Sequence, residues 1–278
     1  MSKSIFLQAL LILGLFSQCE IINPDEKVPA YIEIPEFTVN EDFSSVTDAW
    51  VYVDEYLVGI YDLPARLPVL YSGQHEITIR PGIKVNGIAV TRGIYPFYEP
   101  YKTDKTLISG ECITIHPQTQ YKENLNFVWN ETFESVAVSL EPSDTTSIGF
   151  EKSDTVSDAL SNQVAVVSLN PDTTFQVQTV TQFDLLDDRD VYLEISYKTD
   201  YYFELAWQVE NQINGIIYTN KLYQFNPTLE WQHVYIYLTN FIKDYNPAYN
   251  KFRFMLGSKN FDNETHYIYL DNIKLIHF

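Results

Sequence analysis

Tyr192-Leu193-Glu194-Ile195-Ser196-Tyr197 and, beyond a short turn at Asp200, Phe203-Glu204-Leu205-Ala206-Trp207-Gln208-Val209 decide the fold. Apolar and polar residues alternate with period two, which puts one face of a strand in a core and leaves the other polar. The same rhythm extends outward through Val164 to Val167, Phe175 to Val180, Ile216 to Leu222, Trp231 to Leu238, Phe252 to Leu256 and Tyr267 to Leu270. Turn residues at Asp187-Asp188, Asn214-Gly215, Asn226-Pro227 and Gly257-Ser258 separate them. Regular short strands without helical periodicity predict an antiparallel sandwich.

The preceding half reads as β as well. Tyr31 to Phe37 alternates, and Trp50 to Asp54 is followed by Tyr56 to Tyr61, joined by a tight turn at Asp54-Glu55. His75 to Arg80 ends at Pro81-Gly82, and Asn86-Gly87 carries a hairpin signal. Thr91 to Tyr101 is an irregular loop dense in proline and aromatic residues, read either as a loop packed by its own rings or as an aromatic contact surface. Cys112 lies in an alternating strand and reads as a small buried hydrophobe. The polar stretch Glu141-Pro142-Ser143-Asp144-Thr145-Thr146 reads as a linker. The expected division is therefore a β domain over 31–140 and a second over 146–278.

Two resemblances sharpen this. Asp48 to Asp54, Leu63-Pro64-Ala65, Leu67 to Leu70, His75, Ile77, Pro81-Gly82-Ile83 and Asn86-Gly87-Ile88 resemble a small β domain of Bacteroidetes-type lipoproteins and, in part, PEGA-type repeats, with Glu55 where the turn glycine stands. This implies a non-catalytic extracytoplasmic module. Ile148-Gly149-Phe150-Glu151, Trp231 to Leu238, Phe252-Arg253-Phe254 and Ile268 to Leu275 are similar to the β jelly roll of carbohydrate-binding modules and galactose-binding-like domains. The expected fold class is thus all-β, a small antiparallel β sandwich followed by a β jelly-roll sandwich.

The chain has 278 residues with 45% hydrophobic and 15% aromatic content, enough for two ordinary domains with real cores. The net charge of −19 argues against nucleic acid and anionic lipid headgroups as partners, because both are held by cationic contacts. At the N-terminus Lys3 precedes an apolar run from Ile5 to Phe16, too short to span a bilayer, so residues 1–18 read as a secretory signal. Cys19 closes that run. Ser17 and Cys19 resemble the lipobox of bacterial lipoproteins, with Phe16 and Gln18 at the family's other two places. The resemblance implies acylation of Cys19, a tether over 19–30, and anchoring at the outer membrane. Ordinary signal cleavage needs small residues that Leu15 to Gln18 do not offer.

Candidate binding residues are aromatic, because ring faces stack on sugars while polar neighbours fix hydroxyls. Tyr201 and Tyr202 flank a turn, and Tyr245 and Tyr249 flank Asn246-Pro247. Trp207 is a fifth candidate, although its alternation with Leu205 and Val209 sets it on the apolar face. The jelly-roll resemblance implies a structural calcium at Glu151 and Asp271, against Asp271 as a turn cap or lysine partner. Calcium takes six to eight oxygen ligands, and only these two carboxylates match. The histidines His75, His116, His233, His266 and His277 lack i, i+4 zinc spacing, and there is no Gly-x-Ser-x-Gly elbow. The expected role is non-catalytic binding, with a glycan as partner; the alternative is an envelope-assembly lipoprotein docking through Thr91 to Tyr101.

Overall fold

The computed structural model describes residues 26–40 and 43–278. The expected signal, Cys19 and most of the tether lie outside the described residues. Apart from a four-residue helix, α1 (Thr239–Ile242), the regular structure described is strand, and no described helix is long and apolar enough to cross a membrane.

The N-terminal body is a small sandwich. One sheet runs β4 (Tyr56–Asp62), β3 (Asp48–Val53), β6 (Gly73–Lys84) and β7 (Arg92–Ile94), with β8 (Tyr101–Leu107) also on β6. It faces β5 (Ala65–Val69), β1 (Ala30–Ile34) and β9 (Cys112–Thr114). Ile32, Ile34, Val51, Val53, Leu67, Ile77 and Ile79 fill the space between them. The pairing is antiparallel except that β1 meets β9 in parallel, as β2 (Thr38–Val39) meets β10 (Gln118–Thr119). The β3–β4 hairpin turns at Asp54-Glu55 with both residues at positive φ, 49° and 68°, so Glu55 holds a left-handed position that glycine adopts without strain. Cys112 is exposed on β9 rather than buried, because its short strand turns Ile113 toward the core instead.

The C-terminal body is the larger sandwich. Its first sheet runs β13 (Glu151–Ser153), β14 (Val164–Leu169), β21 (His266–His277), β16 (Val191–Thr199) and β19 (Thr228–Tyr237), with β11 (Asn126–Glu131) beside β21. Its second runs β12 (Leu140–Pro142), β15 (Thr174–Thr179), β20 (Asn250–Lys259), β17 (Phe203–Asn211) and β18 (Ile217–Phe225). Between them lie Leu193, Ile195, Phe203, Leu205, Trp207, Phe254, Leu256 and Leu270 among others.

Strand pairing moves the expected seam. β11 and β12 pair within the C-terminal sandwich, and Trp129 stacks on Phe183 and Phe254 in its core at 6.0 and 6.1 Å. The stretch that reads as a linker is an edge strand and a turn. Pro142 stands in register with Val177, where an edge strand tolerates its missing N–H. Asp144 accepts hydrogen bonds from the Thr146 hydroxyl and backbone and from Ser147, which draw its carboxyl pKa down to about 2. Gly257-Ser258 is likewise not a turn but lies within β20. There a Cβ on Gly257 would stand 3.2 Å from the Phe175 carbonyl oxygen, so the absent side chain permits close strand packing.

The two bodies meet over one half of the six-stranded sheet's outer face. Tyr95, Phe97 and Tyr98, from the aromatic loop, are buried against Tyr192, Tyr235 and Ile276. Tyr95 lies edge-on to Tyr192 at 5.2 Å and Phe97 edge-on to Phe278 at 5.1 Å. The loop is therefore an internal contact, and docking of outside partners through its rings is overturned. The Asn86-Gly87 hairpin clamps the edge of β19: Asn86 N–H donates to the Tyr235 carbonyl, and Tyr237 N–H donates to Asn86 Oδ1, both at 2.8 Å. Gly87 has φ +63°, and a Cβ there would stand 2.7 Å from the Tyr223 hydroxyl.

At the centre of this interface Glu194 is completely buried. Tyr95 and Tyr121 donate their hydroxyls to its two oxygens, the latter at 2.6 Å, and His233 Nε2 donates at 3.1 Å. Burial alone would raise the carboxyl pKa, but the bonds from His233 and Tyr121 and the charge of Lys274 outweigh it, and the net direction is down. A depressed folded pKa gives stability that is complete above the unfolded value of about 4.3 and is lost as pH falls through the folded one. Tyr121→Phe removes a hydrogen bond to a charged group and is expected to cost about 2 kcal/mol at pH 7. In chemical denaturation, this deficit should shrink as pH falls below the ordinary carboxyl range and Glu194 protonates; a cost independent of pH would place the effect elsewhere.

Candidate functional site

The outer face of the five-stranded sheet carries a groove. On β17, Phe203, Leu205, Trp207 and Val209 point into the core, so Glu204, Ala206, Gln208 and Glu210 alternate outward. On β20, Phe252, Phe254 and Leu256 point inward and Met255, Gly257 and Lys259 outward. Register sets Gln176, Gly257 and Glu204 in one row across three strands, and Gln178, Met255 and Ala206 in the next. The smallest side chains, Gly257 and Ala206, stand side by side with Met255. They leave a depression of about 300 Å³ with Tyr202, Gln176, Glu204, Thr219 and Lys259 around it.

Its polar groups are held in place. Ser258 donates to the Tyr202 carbonyl at 2.7 Å, and Lys221 Nζ donates to Glu204 Oε1 at 2.5 Å. The Tyr202 ring packs 4.7 Å from Tyr201, and partial burial raises its phenol pKa. Tyr202 therefore stays neutral and keeps its hydroxyl as donor and acceptor at physiological pH. The groove thus offers an apolar floor, one aromatic ring, and amide, hydroxyl, carboxylate and ammonium groups at its rim. That chemistry matches a polyhydroxylated ligand with apolar C–H faces.

Of the five aromatic candidates, the groove takes only Tyr202. Tyr201 turns away, stacks on His266 at 4.3 Å and receives the Phe261 N–H on its hydroxyl. Trp207 is 1% exposed, a core residue packed on Phe252 at 4.9 Å. Tyr245 lies edge-on to Trp207 and accepts Asn220 Nδ2 at 2.6 Å. Tyr249 is exposed beyond the far end of β17, where its carbonyl receives the Gln212 N–H. Gln176, Thr219, Met255, Gly257 and Lys259 are not found by looking for aromatic residues. The signal for them is the outward half of each alternation.

Glu151 and Asp271 are not brought together as a ligand pair. Glu151 is exposed on β13, in register with Val166 and through it with Tyr269. Asp271 is buried on β21, where a bulge at Asn272 (φ 48°) interrupts the pairing with β16. Its carboxylate accepts the Ser161 hydroxyl at 2.7 Å and the Asn272 N–H. Among the described residues no group of three or more His, Cys, Asp or Glu is placed to hold a metal ion.

One arrangement that the sequence does not reveal has the connectivity of a catalytic triad. Ser196 Oγ lies 2.8 Å from His233 Nδ1, and His233 Nε2 bonds Glu194. A triad acts only where its nucleophile reaches a substrate and an oxyanion site. Here Ser196 and Glu194 are fully buried, Phe43 packs edge-on to the His233 ring, and two tyrosines saturate the carboxylate. The chain of bonds is a structural tie within the interface.

No family model matches the chain and no curated protein matches it. Solved structures that overlap it include carbohydrate-binding modules. One, from work on promiscuous carbohydrate-binding modules of the β-sandwich superfamily, is 11% identical with a TM-score of 0.43, covering 91% of this chain and 99% of that one. A xylan-binding domain of module family 22 is 12% identical with a TM-score of 0.37, over 55% and 96%. The family 11 module from Clostridium thermocellum, in complex with a β-1,3-1,4-mixed-linked tetrasaccharide, is 14% identical with a TM-score of 0.35, over 52% and 92%. Likenesses this distant identify no ligand for this chain.

Proposed function

We propose that this chain is a lipid-anchored, non-catalytic carbohydrate-binding protein of the outer membrane. In this reading Cys19 carries the acyl chains, the tether lifts the two sandwiches from the bilayer, and the five-stranded sheet presents its groove to a glycan. The observation that carries the binding role is the groove itself, with Tyr202 for stacking and Gln176, Glu204 and Thr219 for hydroxyls on a floor of Gly257, Ala206 and Met255. Binding rather than hydrolysis is supported by its carboxylates. Glycosidases set two across the scissile bond, whereas Glu204 alone lines this groove, and Lys221 holds it. The buried Ser196–His233–Glu194 chain supports the same reading, since no substrate reaches it. The assembly alternative loses its contact loop, whose rings are spent inside the molecule.

Two experiments test the two halves of this reading. In affinity electrophoresis through soluble neutral polysaccharides, Tyr202→Ala is expected to weaken retardation at least tenfold while far-UV melting stays unchanged; retardation equal to the parent chain would reject the groove. For the anchor, metabolic labelling with an alkynyl fatty acid should mark the full chain and miss Cys19→Ala. Equal labelling of both would remove the lipid from the account.

A further inference from the structure

The N-terminal body covers one half of the outer face of the six-stranded sheet and leaves the other half open. On the open half, Glu151, Val166, Tyr269 and Lys198 stand in one row across β13, β14, β21 and β16. Tyr267 is on the same face, two residues before Tyr269, and the residue is 42% exposed. The two tyrosine rings are 6.3 Å apart and within 24° of parallel, and the ring of Trp231 on β19 lies 6.4 Å from Tyr269, inclined to it at 61°. Beside them lies a groove of about 480 Å³, walled by hydroxyls of Ser153 at the end of β13 and of Thr155 and Ser157 just after it.

The lysines there already have partners. Lys198 Nζ sits 4.8 Å from the Tyr269 ring centroid and 5.8 Å from that of Trp231, and it donates to both oxygens of Asp158 at 2.6 and 2.7 Å. Lys152 donates to the Ser135 carbonyl at 2.6 Å. With both lysines satisfied and Glu151 adding negative charge, the groove offers an anion no uncommitted cation. The Tyr267 backbone is tied down, its N–H donating to Asp200 at 2.7 Å, and the Lys198 ammonium lies against the Tyr269 and Trp231 rings. What remains is an aromatic surface bordered by hydroxyls, by the Glu151 carboxylate and by one carboxylate–ammonium pair. Sugar C–H faces stack on such rings and sugar hydroxyls bridge to such a border.

We propose that this half-face is a second saccharide-binding site, taking a neutral oligosaccharide along Trp231, Tyr269 and Tyr267. The site shares the carbohydrate class of the reading above but none of its residues. It makes the C-terminal sandwich bivalent, with one site on each outer face, so a long polysaccharide is held by avidity as well as by affinity.

The test is affinity electrophoresis of the mature chain in xyloglucan, galactomannan, xylan and mixed-linkage β-glucan. It compares the parent, a groove variant (Tyr202→Ala with Glu204→Ala), a platform variant (Tyr267→Ala with Tyr269→Ala) and their combination. On at least one polysaccharide the platform variant should lose at least fivefold in retardation, the groove variant should keep measurable binding, and the combination should lose all of it. If the platform variant migrates like the parent on every polysaccharide, the second site is rejected while the groove stands. If the groove variant migrates like the parent and the platform variant does not bind, the groove reading falls and the platform stands. No retardation of the parent on any of the four rejects both. Should the double platform variant fail to fold, Tyr267→Ser changes an exposed side chain alone and is expected to lose at least twofold; unchanged retardation then rejects the platform.

Discussion

The buried carboxylate of Glu194 organises this molecule. Glu194 sits where two sandwiches meet, with Tyr95 and Tyr121 reaching it from the N-terminal side and His233 from its own sheet. A charge so enclosed is tolerated only when its oxygens are fully engaged. Each body is therefore the other's solvent at this point. Separating them would leave Glu194 without its two tyrosine donors, break the Tyr98–Tyr235 hydroxyl pair, and expose the rings around Tyr95 and Phe97. The aromatic loop and the Asn86-Gly87 hairpin form a socket and a clip on either side of that carboxylate.

This constraint determines which surfaces are available. The covered half of the six-stranded sheet, from Tyr192 and Tyr237 to Ile276, is occupied by the chain itself. The uncovered half and the whole outer face of the five-stranded sheet are not. Both open surfaces carry aromatic rings beside polar groups. Lys221 is tied to Glu204 on one side and Lys198 to Asp158 on the other, while Lys259 at the groove rim lies over the Phe261 ring. Pairing of this kind leaves little free cationic charge on these surfaces. The join between the bodies also fixes how the two open faces are set relative to the N-terminal sandwich.

Much of this was legible in the sequence, for a definite reason. Period-two alternation in Phe203 to Val209 reports which residues face a core, and it placed Trp207 with Leu205 and Val209, where the structure has it. What alternation cannot report is what lies over the other face. Glu194 and Ser196 read as solvent-facing polar residues, yet both are buried, because the cover comes from residues about a hundred positions earlier. Composition misled at Pro142-Ser143-Asp144, where residue types shared by linkers and turns form an edge strand and a turn inside the second sandwich. Asp271 read as a turn cap or ligand, whereas the bulge at Asn272 leaves it buried and bonded to Ser161. The groove residues Gly257, Ala206 and Met255 carry no motif; their role arises from register between three strands.

The Glu194 interface makes the two sandwiches one cooperative unit. Differential scanning calorimetry of residues 26–278 at pH 7 tests this most directly. One transition is expected, with calorimetric and van't Hoff enthalpies equal and sized for both sandwiches together. Two resolved transitions, or a van't Hoff enthalpy near half the calorimetric one, would show that each sandwich melts on its own and would contradict it.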